Sequence, residues 1–320
     1  LENILSAKKM IIFLLFIILI TSSFFCSVQA VQKVTVQSPP IPAAVPFLWM
    51  EKEDKLNGVI DLELNISSDH SRGVALLAKN EIDFLVTGAN VGAKIYNQGI
   101  DLKMLNINTW GIDYLLTRGF KAESWEDLKG KSVGVLLKGG PLDFLVRYLL
   151  QENGISLDEV NLVYRPLPGA AKYFLAGNLD AVVLPEPLVT VTSAKSDNIH
   201  ISLDIQKEWE KIHGDRRIPF VGLFVSGKFE SKNKAVTEII NEVYRQGIEW
   251  VNENPGEAAE LASKYFSMPA EVIEKSFSRI NLNIYAKSES RKLTDRYFQK
   301  ILQMYPDMIG GRMPNEEFYY

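Results

Sequence analysis

Thiols and imidazoles are almost missing from this sequence. Its 320 residues hold one cysteine, Cys26, and three histidines, His70, His200 and His213, none at the i, i+4 spacing of a helical metal pair. A disulfide framework and a thiolate metal cluster are therefore excluded, and no motif calls for a metal or an organic cofactor. An excess of one charge is also lacking. Lys and Arg number 35 against 39 Asp and Glu, a formal net charge of -4, which leaves no electrostatic footprint for nucleic acid. Hydrophobic residues make up 47% and charged residues 23%, which excludes a wholly disordered or fibrous chain, and the length suits about two domains.

One long apolar run is present. Lys8 and Lys9 precede an unbroken stretch from Met10 to Ile20, and Val28-Gln29-Ala30 offers a small-x-small site. A basic start, a short apolar core and such a site describe a secretory signal peptide, with cleavage expected after Ala30. The run is short of the roughly 20 apolar residues a membrane span needs. Bulky Phe24 and Phe25 before Cys26 do not suit a lipid-anchor site. Removal of residues 1–30 leaves a thiol-free chain, in keeping with a periplasmic or other extracytoplasmic compartment.

The remainder reads as one pattern written twice. Strand Lys33 to Gln37, the break Ser38-Pro39-Pro40, a helix, strand Asp61 to Ile66, a helix and strand Ile82 to Val86 form the first copy. About a hundred residues later come strand Ser132 to Leu137, the break Gly139-Gly140-Pro141, a helix, strand Val160 to Arg165, a helix and strand Asp180 to Leu184. The segment Leu76-Leu77-Ala78-Lys79-Asn80-Glu81-Ile82-Asp83 is echoed by Phe174-Leu175-Ala176-Gly177-Asn178-Leu179-Asp180. Two βαβαβ units predict an α/β protein of two lobes, each a mainly parallel sheet flanked by helices. The expected organisation is a signal peptide at 1–30, the first part of lobe I at 31–117, lobe II at 118–217, and a return strand with C-terminal helices at 218–320. The chain then crosses between lobes near residues 117 and 218, and its last hundred residues pack on lobe I.

The catalytic motifs present as letters fail on context. Gly130-Lys131-Ser132-Val133-Gly134 spells a nucleophile elbow, but Ser132 opens a strand where that motif must close one. The same stretch resembles the end of a phosphate loop, yet Trp125 stands where its first glycine belongs. His70 beside Asp69 lacks a matching nucleophile and reads as a loop histidine.

What survives is a set of loops where strands end and helices begin. In parallel α/β sheets the crevice beyond the carboxyl ends of the strands is where ligands settle, and helix starts there present unpaired N–H groups. The candidates are Ser38, Pro39 and Pro40; Ser68; Thr87, Gly88, Ala89 and Asn90; and Lys138, Gly139, Gly140 and Pro141. Glu186, between two prolines, and Trp110, before Gly111 at a lobe junction, complete the set. Each has a purely structural alternative. Pro141 suits the first position of a helix, Thr87 or Asn90 could cap one, Glu186 could form a rigid turn, and Trp110 could be core.

Together with the signal peptide, four segments resemble the substrate-binding proteins of ABC importers. They are Ser38-Pro39-Pro40, the run from Ala75 to Phe84, the run from Trp125 to Val133, and the run from Leu175 to Pro187. More narrowly, the chain is similar to the SsuA/THI5-like, or NMT1/THI5-like, group. That resemblance implies a type II periplasmic-binding-protein fold with a ligand cleft between the lobes, no catalysis, a membrane permease as partner and a monomeric receptor. It implies a small ligand of the nitrate, sulfonate, taurine or thiamine-pyrimidine class. Glycine-rich helix starts and Lys138 suit an anion, whereas Trp110 and Glu186 suit a flat nitrogenous ligand. The cysteine-rich motif of the family's enzymatic branch is lacking. A secreted enzyme using Glu186 as a base, or a ligand-sensing module, are the alternative readings.

Overall fold

The computed structural model describes residues 31–320 apart from 57, 167 and 168, so the signal peptide and its cleavage site lie outside the described residues. Alternation sets the first strand, β1 (Gln32–Ser38), in which Val34 and Val36 are buried while Lys33 stays in solvent. β1 pairs in parallel with β2 (Ile60–Ile66), Val36 opposite Leu64, and on its other side with β3 (Phe84–Gly88). The intervening helices are α1 (Val45–Lys52) and α2 (His70–Ala78). Asp69 caps α2 by accepting from the Arg72 N–H at 3.0 Å. α3 (Ala89–Asn97) follows β3 directly, and β4 (Leu102–Thr109) completes the outward path.

The second lobe contains β5 (Asp113–Arg118), β6 (Ser132–Val135), α4 (Pro141–Glu152), β7 (Asn161–Tyr164), α5 (Gly169–Leu175) and β8 (Ala181–Pro185). It closes with α6 (Leu188–Ser193), β9 (Ile199–Asp204) and α7 (Ile205–His213). The chain returns through β10 (Val221–Ser226) and ends in α8 (Gly227–Lys232), α9 (Lys234–Glu253), α10 (Pro255–Phe266), α11 (Ala270–Phe277) and α12 (Lys287–Met304).

Both sheets have five strands and one topology, β2-β1-β3-β10-β4 and β7-β6-β8-β5-β9. In each, the fourth strand runs antiparallel to its neighbours and is the strand that has just arrived from the other lobe. This corrects the expected first crossing. β5 bonds β8 from Asp113 to Thr117 and β9 from Tyr114 to Arg118, so the chain has changed lobes before β5 begins, at 110–112 rather than near 117. Gly111 permits the turn. Its φ of +146° disfavours other residues, and a Cβ there would lie 2.2 Å from Gln206 Cγ. The Gln206 amide oxygen accepts from the backbone N–H groups of Ile112 and Asp113, holding the entry to β5.

Three segments form the junction. The returning chain donates from Ile218 N–H to the Trp110 carbonyl and from Phe220 N–H to the Thr109 carbonyl. On the other side, Trp110 N–H donates to the Asn281 carbonyl and Asn283 N–H to the Asn108 carbonyl. The C-terminal helices divide their packing. Tyr244 of α9, Leu261 of α10 and Ile273 of α11 enter the first lobe's core with Phe47 and Val34. α12 also reaches lobe II, where Tyr297 meets Phe144 edge-on at 5.4 Å and Trp209 at 6.0 Å. The C-terminal block is thus not confined to lobe I as the sequence suggested, because the Leu293, Tyr297 and Ile301 stripe is apolar enough to serve both lobes.

Candidate functional site

The carboxyl ends of β1 and β3 in one lobe, and of β6 and β8 in the other, carry the candidate loops. α3 and α4 begin there, and their first residues meet across the junction. A Cβ placed on Gly88, the residue before α3, would come within 2.9 Å of Pro141 Cγ at the start of α4 and 3.2 Å of Asn90 Oδ1. The φ of Gly88 is an ordinary -59°, so glycine is required here by the approach of the other lobe and not by the turn.

The start of α4 is pinned from below. Gly139 N–H donates to Asp143 Oδ2 at 2.8 Å, and Asp143 Oδ1 accepts from Arg147 Nε at 2.7 Å and from the Tyr164 hydroxyl at 2.8 Å. Arg147 is therefore committed to a structural ion pair. Burial first, and then the hydrogen bond to Asp143, push the Tyr164 phenol up to about 12. Gly140 is the N-cap and Pro141 the first helical residue, as a proline there requires.

Gly88, Asn90 and Pro141 come together, with Ala89 and Thr87 buried beside them. Ser38 is buried and donates from its hydroxyl to the Pro39 carbonyl at 2.9 Å; Pro39 is buried and Pro40 half-buried. Ser68 is exposed, and so is Lys138, whose ammonium lies 5.9 Å over the Tyr164 ring. The other two candidates serve the junction. Trp110 is fully buried, donates from Nε1 to the Asn283 carbonyl at 2.9 Å and meets Tyr285 edge-on at 5.2 Å. Glu186, only 1% exposed, accepts from the Thr190 N–H at 3.0 Å and from the Thr190 hydroxyl, and pairs with Arg279 Nε. Arg279 follows α11, so this ion pair ties the C-terminal block to the end of β8.

Sequence reasoning passed over three residues. Arg279 is one. Asp113 and Tyr297 are the others, both fully buried, and their carboxylate oxygens and hydroxyl have no hydrogen-bond partner among the described residues. The Asn90 side chain is in the same condition at both of its polar atoms. Burial alone holds the Asp113 carboxyl well above its ordinary value of 3.8, and burial first, then the Asp113 charge, raises the Tyr297 phenol. A signal for Asp113 was present, a lone carboxylate in the apolar run Ile112 to Leu116. Among the described residues no group of three or more carboxylates, histidines or thiols could hold a metal ion.

Two lobes with one strand order, an exchanged fourth strand and helix starts that meet between them define the two-lobed periplasmic-binding-protein fold. The sequence model of the NMT1/THI5-like family matches residues 57–258, and the chain belongs to that family. No curated protein matches the sequence. Among solved structures, an ABC transporter protein from Parabacteroides distasonis superposes with a TM-score of 0.76 at 20% identity, over 90% of this chain and 99% of the other. The periplasmic aliphatic sulphonate binding protein SsuA of Escherichia coli gives 0.71 at 15% identity, over 88% and 97%. The periplasmic nitrate-binding protein NrtA of Synechocystis gives 0.64 at 13% identity, over 77% and 70%.

Proposed function

We propose that this protein is an exported receptor of an ABC importer. In this reading a small anionic or heteroaromatic molecule binds between the lobes at the starts of α3 and α4, the hinge at 110–112 and 214–220 closes over it, and the closed form is presented to a membrane permease. The observation that carries the reading is the close approach of Gly88 to Pro141, which brings two helix starts from different lobes to one point beside the buried Asn90 side chain, unpartnered among the described residues. Family membership and the sulphonate- and nitrate-binding proteins that share the fold support it.

The enzyme reading finds less support. Glu186, its proposed base, is engaged by Thr190 and Arg279, and among the described residues no second acid-base group is hydrogen-bonded to it. A thermal-shift panel of nitrate, alkanesulfonates, taurine and aminopyrimidines on residues 31–320 tests the proposal. A ligand at 100 times its dissociation constant stabilises the native state by about 2.7 kcal/mol, a rise of a few degrees. A responder that is chemically altered by the protein contradicts the receptor reading.

A further inference from the structure

Two buried side chains without polar partners among the described residues, Asn90 and Tyr297, adjoin the first turn of α4. Asn90 lies beside Pro141, the first residue of α4, and Tyr297 packs on Phe144, three residues further along. Asp113 stands where β5 begins, opposite Pro185 at the cleft end of β8, and its charge acts on the Tyr297 hydroxyl. Each of these side chains is fully buried, and each has its polar atoms without a partner among the described residues. Buried polar groups are almost always hydrogen-bonded, because leaving one unpaired costs more than a hydrogen bond returns. Two such groups at the first turn of α4, and a third at the start of β5, call for a common explanation.

Nearby cations do not provide it. Arg147 is bound to Asp143 and Tyr164, Arg279 to Glu186 and Thr190, and Lys138 is at the surface. An oxyanion placed here would oppose ionisation of the Asp113 carboxyl, and the guanidiniums of Arg147 and Arg279 are already engaged. A ligand bearing N–H groups meets the opposite situation, since Asp113 accepts from it, Asn90 both donates and accepts, and Tyr297 does the same.

We infer that Asp113, supported by Asn90 and Tyr297, is a specificity-determining residue of the cleft and selects an N–H-bearing nitrogenous ligand, neutral or cationic, against oxyanions. This rests on the receptor reading and narrows its ligand class. Burial of Asp113 without a cation agrees with it, since a ligand that supplies the missing N–H donors lets the carboxylate ionise.

The test uses four probes at millimolar concentration: 4-aminopyrimidine and acetamidine against nitrate and methanesulfonate. Each is measured by calorimetry and thermal shift on wild type, Asp113→Asn and Tyr297→Phe. The inference expects wild type to bind at least one nitrogenous probe and neither oxyanion. It expects Asp113→Asn to weaken that probe at least tenfold while oxyanion binding strengthens, a divergence that general damage to the fold cannot produce. Tyr297→Phe, which keeps the charge, weakens the nitrogenous probe a few-fold and leaves the oxyanions rejected. Oxyanions bound equally by wild type and Asp113→Asn overturn the inference and leave the receptor reading standing. No binding from either class, with no small molecule released on denaturation, overturns both.

Discussion

Arg279 and Glu186 form an ion pair between the segment after α11 and the end of β8, with the carboxylate fully buried and the guanidinium partly so. The Tyr114 hydroxyl donates to the Arg279 carbonyl at 2.9 Å, so β5 shares in the same tie. Replacing Arg279 by Gln leaves a buried carboxylate with only Thr190 to answer it. Breaking one side of a buried pair costs about 3 kcal/mol or more. Urea unfolding is expected to show that loss. Glu186→Gln, which removes the charge that needs compensation, should lose less.

Gly88→Ala separates closure from folding. The backbone there accepts alanine, and the added Cβ collides with Pro141 of the other lobe. Ligand affinity should fall about tenfold, equivalent to about 1.4 kcal/mol. The melting temperature without ligand should change little, and scattering should report a larger radius of gyration. A variant with unchanged affinity would show that the contact is not used in closing.

The Asp113 carboxyl makes stability depend on pH with a sign opposite to that of a salt-bridged aspartate. Its folded pKa is raised above 3.8, so the contribution is fully favourable below 3.8 and is lost as pH rises through the folded value. Without ligand, Asp113→Asn should therefore be more stable than wild type at neutral pH, by about 1–3 kcal/mol. The advantage should fade as pH drops towards 3.8. Chemical denaturation at several pH values measures the difference directly.

Tyr297→Phe removes a hydroxyl that has no hydrogen-bond partner among the described residues while keeping the ring against Phe144 and Trp209. The ligand-free variant should gain about 1 kcal/mol of stability. A loss of that size would mean the hydroxyl is satisfied in solution.

The lobes were legible because both signals that define them are local. Alternation in Lys33 to Gln37 and the apolar run of β8 identify strands without knowledge of their partners. The crossing was not legible, because β4 and β5 read alike and only pairing with β8 and β9 assigns β5 to the second lobe. At the site, the glycine and proline turns announced themselves through backbone requirements. Arg279 meets Glu186 across 93 positions and Asp113 acts on Tyr297 from a distant segment, and beyond the lone carboxylate in the run Ile112 to Leu116 no short-range pattern marks such meetings.

Small-angle scattering paired with calorimetry on residues 31–320 bears most directly on the central claim. A responding ligand should bind one molecule per chain, reduce the radius of gyration and be recovered chemically unchanged. A ligand that binds without compaction, or that is recovered as a product, would contradict a receptor that works by closing its lobes.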